Sequence, residues 1–212
     1  RNRDLGELWS VKDMQAAKRF LLSYGFGRWA EIHASAKLKA PSVVDVKMLG
    51  MEFVKQCVTL TETTEDELQL ILGGNTDIEG STSLILDPDM LVQKCNLKNK
   101  TAKENMKRLS YLAALRVLCR KAEDRGEEIH PPATPGAKPS EKWTLFHDRE
   151  LLMSVYKDGI EYGPEGVASL EGTGQIGSLL RETVHGLEGD ARKEAADAFV
   201  KKAITRAYEV LK

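Results

Sequence analysis

The side chains best placed to do chemistry in this sequence are cations that crowd into one stretch of the chain. Between Lys94 and Lys121 there are nine basic residues and one acid, Glu104. Lysine and arginine at this density are typical of a surface that neutralises the phosphates of a polyanion. The pattern also fits a solvated helix face, and both interpretations stay open. The nine residues are Lys94, Lys98, Lys100, Lys103, Lys107, Arg108, Arg116, Arg120 and Lys121.

A smaller group of cations lies near the C-terminal end of the sequence. Lys202 and Arg206 are four residues apart, a spacing that places both on one face of a helix. The candidate phosphate contacts from this region are Lys193, Lys201, Lys202 and Arg206.

The segment 56–93 has the opposite character, with eight acids and no lysine or arginine. An acidic segment beside a basic one predicts two different surfaces. The acids suit a basic peptide, and a solvated acidic surface without a partner is the alternative. Over the whole chain the charges nearly cancel, to a net charge of −1.

The motifs of catalysis and nucleotide binding are missing or out of context. The phosphate-binding loop GxxxxGK[ST] does not occur, so ATP binding by that device is excluded. Gly172, Gly174 and Gly177 match GxGxxG but follow no predicted strand, so we expect no nucleotide site there. His147 and Asp148 are neighbours that point apart on a helix, and we interpret them as an exposed helix start. We therefore expect no enzyme activity and no cofactor.

Metal binding is not expected either. The sequence has no CxxC motif and four scattered histidines, which do not make a structural zinc site. Cys57, Cys95 and Cys119 are an odd number at wide spacings, as in an intracellular protein with reduced thiols, and Cys119 is expected in a core.

No apolar run approaches the ~18 residues of a membrane helix, and no signal peptide is visible. The chain does not begin with Met, so we expect a piece of a longer protein.

Helices must position these side chains, because apolar residues recur at helical spacing and no confident strand is visible. We predict helices after the N-cap Ser10, over 28–36, after Pro41 and over 64–72, and long helices over 102–124 and 190–211. Thr144 begins another helix, which Gly159 ends. Thr101 and Glu104 predict a capping box.

We expect a loop over 73–90, with an extended piece at Leu84-Ile85-Leu86 and disorder within 74–84. Four of the seven prolines fall in 130–140, which is a linker or an extended crossing segment. A glycine-rich stretch covers 163–177.

Two segments share one arrangement of residues, with a tryptophan before a helix and a glycine where the helix ends. Trp9 precedes the first helix, and Gly25-Phe-Gly-Arg-Trp29-Ala-Glu-Ile32 follows it. Trp143 likewise precedes a helix that closes with Tyr156-Lys-Asp-Gly159. This arrangement resembles the Myb/SANT three-helix repeat, in which spaced tryptophans fill the core. The resemblance implies an all-α fold with two three-helix units joined by the long basic helix.

The order of these parts is similar to the SANT–SLIDE region of chromatin-remodelling ATPases, and to the CHD family more than to ISWI. Asn105-Met-Lys-Arg108-Leu-Ser-Tyr-Leu-Ala-Ala-Leu-Arg116 resembles the joining helix of CHD proteins, and Leu151-Leu-Met-Ser-Val-Tyr-Lys-Asp-Gly-Ile-Glu-Tyr162 resembles a segment of their second unit. The implied organisation is a SANT-like unit (1–60), an acidic, partly disordered insert (61–93), a basic connecting helix (94–126), a Pro-rich linker (127–140) and a SLIDE-like unit (141–212).

The resemblance implies a non-catalytic, monomeric module in the nucleus that grips linker or duplex DNA of a nucleosome for an ATPase motor on the parent chain. Base-specific reading is not expected, because the helix after Pro41 is largely apolar and offers only Lys47 and Lys55 as cations. The alternative function is a protein-interaction module that binds histone tails or regulates the parent motor.

Overall fold

Helices are the regular secondary structure found in the residues that a computed structural model describes. These residues are 8–73, 88–159 and 163–211, without the side chains of 163–165. No strand occurs in these ranges, which confirms the all-α class. The chain divides into two compact units, Arg1–Ala114 (unit 1) and Leu115–Lys212 (unit 2), and each is described by itself. The extended piece predicted at 84–86 and the disorder expected within 74–84 lie outside the described residues.

Unit 1 opens with three helices that the sequence predicts: α1 (Val11–Tyr24), α2 (Trp29–Ala36) and α3 (Val43–Thr59). The Ser10 hydroxyl accepts a hydrogen bond from the backbone N–H of Asp13 at 3.1 Å, which fixes the start of α1. Ser42 and Asp45 form a capping box at the start of α3. The three helices contact one another, and their identity as a Myb/SANT repeat stays a prediction.

The rest of unit 1 departs from the sequence prediction in two places. The α4 helix (Glu65–Leu72) falls within the predicted range 64–72, and Thr64 is its N-cap. The next helix, α5 (Pro88–Lys94), begins within the predicted loop 73–90, and its first residue is a proline, which a first turn tolerates. The long α6 helix (Asn99–Arg125) starts before Thr101. The predicted capping box is therefore wrong, and the Thr101 hydroxyl instead accepts the Lys98 N–H at 2.9 Å.

A close approach in unit 1 depends on a glycine. Gly50 lies in the middle of α3, where a Cβ atom would come within 2.5 Å of the Trp29 ring. The ring also packs edge-on against Phe26, with 4.7 Å between the ring centroids. Trp9 is buried in the same core as Phe53. Trp9 therefore belongs to this core, and Trp29 packs against it.

In the described part of unit 2, four helices follow its part of α6, where the resemblance implies a three-helix unit. They are α7 (Leu145–Asp158), α8 (Gly163–Glu171), α9 (Gly174–Thr183) and α10 (Gly189–Val210). The glycine-rich stretch forms α8 and the first turn of α9. Gly177 explains part of this composition, since a Cβ atom there would lie 2.3 Å from the carbonyl oxygen of Glu171. Glycine serves close packing here and does not break the helix.

The proline-rich segment before α7 crosses unit 2 as part of its packed structure. Ile129 and Pro139 are buried, and the Lys138 ammonium donates to the Trp143 carbonyl at 3.1 Å. At Gly136 (φ +154°) a Cβ atom would lie 2.3 Å from a carboxylate oxygen of Glu209. Of the two alternatives for 130–140, the extended crossing segment is the one that the structure adopts.

Candidate nucleic-acid interface

The lysines at the end of α5 and in the first half of α6 are on the surface of unit 1. The turn between these helices is held against α1, because the Lys18 ammonium donates to the Cys95 carbonyl at 2.7 Å. This anchors the backbone from which the candidate side chains project into solvent. Five of the thirteen predicted phosphate contacts are exposed here: Lys94, Lys98, Lys100, Lys103 and Lys107.

Three of these lysines form a row along α6. Lys100, Lys103 and Lys107 are three and four residues apart, so they lie on one helix face. The row is about 10 Å long at the helical rise of ~1.5 Å per residue. Phosphates on one strand of a duplex rise by about 3.4 Å each, so the row can contact more than one of them.

The row forms one wall of a cleft of about 890 Å³ in unit 1. The opposite wall comes from the end of α3, the connection that follows it and α4, and it carries the carboxylates of Glu62 and Glu67. The prediction of two separate surfaces for the acidic and basic segments is therefore wrong for these residues. The sequence separates them by more than thirty positions, and the fold returns α6 to the side of α4.

Two predicted contacts are only partly accessible. The Arg108 side chain is half-buried, and its Nε donates to the backbone carbonyl of Leu22 at the end of α1. Arg116 is also half-buried. Burial lowers the pKa of its guanidinium, the nearby charge of Arg120 lowers it further, and Tyr156 opposes the shift. Arg108 holds one helix to another, and Arg116 is less available to phosphate than its sequence position predicts.

Unit 2 contributes exposed cations at two places. Arg120 and Lys121 are exposed near the end of α6, and Lys193, Lys201 and Lys202 are exposed on α10. The N-terminal half of α10 also exposes Asp190 and Glu194, so Lys193 lies in a surface of mixed charge.

Arg206 is a correction to the sequence prediction, because its side chain is 1% exposed. Its Nε and Nη2 donate to the two carboxylate oxygens of Asp148, at 2.8 and 2.7 Å. Its Nη1 donates to the Thr134 carbonyl at 2.9 Å. The hydrogen bonds with Asp148 raise the pKa of Arg206, although burial alone would lower it. Arg206 holds unit 2 together and is not a phosphate contact.

His147 and Asp148 are also a correction, since both are buried rather than exposed. Asp148 accepts a third hydrogen bond, from the Trp143 indole N–H at 2.7 Å. The His147 ring accepts the Thr144 backbone N–H through Nδ1 at 3.1 Å and caps α7. In the described part of unit 2 the two side chains have different hydrogen-bond partners and do not bond to each other, which fits the expectation that neighbours point apart.

The cysteines and the possible metal ligands are the remaining groups to place among the described residues. Cys57, Cys95 and Cys119 are free and buried, as expected for Cys119. Burial raises the pKa of Cys57 and of Cys119 to about 12. In the described ranges no three histidine, cysteine or acidic residues group as a metal site would require. Within the same ranges, no helix has the length and apolarity needed to span a bilayer.

Comparison with known proteins gives no relative: no family model, curated protein or solved structure matches the chain.

Proposed function

We propose that this chain is a non-catalytic module that binds duplex DNA through its phosphates, without strong sequence specificity. The observation that carries the proposal is the run of five exposed lysines at the end of α5, in the turn that follows and in α6, three of them in one row. Ammonium groups on flexible stems release counterions from a phosphate backbone without reading the bases. By its resemblance to the SANT–SLIDE region, the parent is a chromatin-remodelling ATPase of the nucleus.

The test is binding of a short labelled DNA duplex over a salt series. We expect log K to fall linearly with log salt, with a slope of about −0.9 for each phosphate contact. Replacing Lys94 and Lys98 by glutamine is expected to lower the slope by up to about 1.8. Lys12→Gln with Lys39→Gln is the matched control, because both lysines are exposed in unit 1 and lie outside the candidate set.

Two results of this test would contradict the proposal. Absence of binding at low salt would refute DNA binding. An equal loss in the Lys12 and Lys39 control variant would show that net charge alone acts, and the candidate surface would then be wrong.

The second candidate function is binding of a basic histone tail, and the first turn of α4 favours it. Glu65 and Asp66 are exposed there, and their carboxylates suit lysine-rich peptides. Glu65→Gln with Asp66→Asn is expected to abolish binding of a histone-tail peptide if this function holds, and to leave DNA binding unchanged. The same alternative includes regulation of the parent ATPase motor through the surface that carries Glu65 and Asp66.

A further inference from the structure

The cleft between α6 and α4 in unit 1 has properties that duplex DNA does not explain. Its α6 wall carries Lys100, Lys103 and Lys107, and its other wall carries Glu62 and Glu67. A duplex presents negative charge to both walls, so the two carboxylates would repel it. We propose that this cleft binds an extended peptide in which acidic and basic side chains alternate. The proposal goes beyond DNA binding and does not depend on it.

The charges of the two walls do not neutralise each other. Lys103 and Glu62 are exposed, and no ion pair or hydrogen bond joins either of them to another residue in the described part of unit 1. Lys107 lies 5.8 Å from the centre of the Tyr111 ring. The Glu67 carboxylate accepts the Thr64 N–H at 3.3 Å, within its own helix cap. Charges of both signs therefore face the cleft without a salt bridge across it.

The cleft has the dimensions of a short peptide. Its volume of about 890 Å³ lies within the range of ~300–1,000 Å³ typical of ligand sites. The α6 residues that line it run from Asn99 to Tyr111, which is about 18 Å of helix. An extended chain of five or six residues, at ~3.3 Å each, has the same length.

The alternation follows from the geometry of an extended chain. Successive side chains point to opposite sides of a strand, so one set would face the lysines of α6 and the other set would face Glu62 and Glu67. The cleft is also lined by the partly exposed side chains of Leu60 and Tyr111. They offer apolar contact to the backbone and to the methylene groups of the peptide's long side chains.

An NMR titration of the whole chain tests the proposal. The probe is a capped hexapeptide in which glutamate and lysine alternate, and the control peptide has three glutamates followed by three lysines. We expect amide shifts on both walls, within 61–67 and 103–111, and an affinity at least threefold higher for the alternating peptide. Equal affinity for the two peptides, or no shifts in the cleft, would overturn the proposal.

Variants of the acidic wall test the role of the carboxylates. Glu62→Gln with Glu67→Gln removes both charges, and glutamine at 67 still offers an oxygen to the cap of α4. We expect about a three- to tenfold weaker affinity for the alternating peptide, as for the loss of two exposed ion pairs. The matched control is Glu31→Gln with Glu104→Gln, which changes the net charge equally at exposed positions of unit 1 outside the cleft lining.

The same variants separate this proposal from the DNA-binding function. Neutralising Glu62 and Glu67 is expected to leave duplex binding unchanged or to strengthen it. An equal loss of peptide binding in the control variant would show that only long-range charge acts, and it would refute the cleft as the site. Amide shifts over 61–67 caused by duplex DNA would also refute it, because the acidic wall would then face DNA.

Discussion

Removal of the Asp148 carboxylate is expected to destabilise unit 2 by about 3–5 kcal/mol, the cost of leaving a buried charge without its partner. Arg206 is 1% exposed and directs two of its nitrogens to this carboxylate. In Asp148→Ala the Arg206 guanidinium keeps its hydrogen bond to the Thr134 carbonyl. No remaining carboxylate in the described part of unit 2 lies as close to its charge as Asp148 does. The Trp143 indole N–H also loses its acceptor.

The assay is urea unfolding followed by far-UV circular dichroism. Because a protein of two units need not unfold in one step, hydrogen exchange of the α7 and α10 amides identifies the transition that belongs to unit 2. With an m-value of about 1–3 kcal/mol/M in urea, the expected loss lowers the midpoint of that transition by about 1–5 M. The transition of unit 1 is expected to stay in place.

A paired replacement tests the reasoning itself. Asp148→Leu with Arg206→Met removes both charges, so the double variant is expected to be more stable than either single variant. If the two single losses simply add in the double variant, the buried charges are not coupled, and the reasoning is refuted.

Three further predictions concern unit 1 and the thiols. Gly50→Ala is expected to destabilise unit 1 by about 1–3 kcal/mol, because the added methyl group overpacks against Trp29; an unchanged or higher unfolding midpoint would contradict this. Cys57 and Cys119 are expected to react with a thiol reagent at pH 8 only after unfolding. Their pKa of about 12 when folded, against 9.0 when unfolded, also means that stability falls as pH rises above about 9, which urea midpoints from pH 8 to 10 would measure.

Local signals in the sequence predict most of the helices correctly. Ser10, Ser42 and Thr64 each lie one residue before a helix, because an N-cap satisfies backbone donors only a few residues away. Gly25 and Gly159 end α1 and α7. Such signals need no knowledge of the rest of the chain.

Contacts between distant segments account for what the sequence did not predict. Arg206 has the same spacing from Lys202 as a surface pair, but its partner Asp148 is 58 positions away. The cleft needs Glu62 and Lys103 on facing walls, which no periodicity reveals. The glycines of 163–177 are typical of a loop until the close approach of Gly177 to Glu171 is known. Tertiary packing overrides local propensity at these positions.

The packed segment before α7 limits how this protein can be cut or recombined. Unit 2 starts at Leu115, inside α6, and takes Cys119, Ile129 and the Thr134 carbonyl from residues ahead of Trp143. A fragment that begins at 141, where the sequence places a domain boundary, would lack these groups and leave Arg206 one acceptor short. A fusion or exchange that respects the folded unit must include the second half of α6 and carry the proline-rich segment with it.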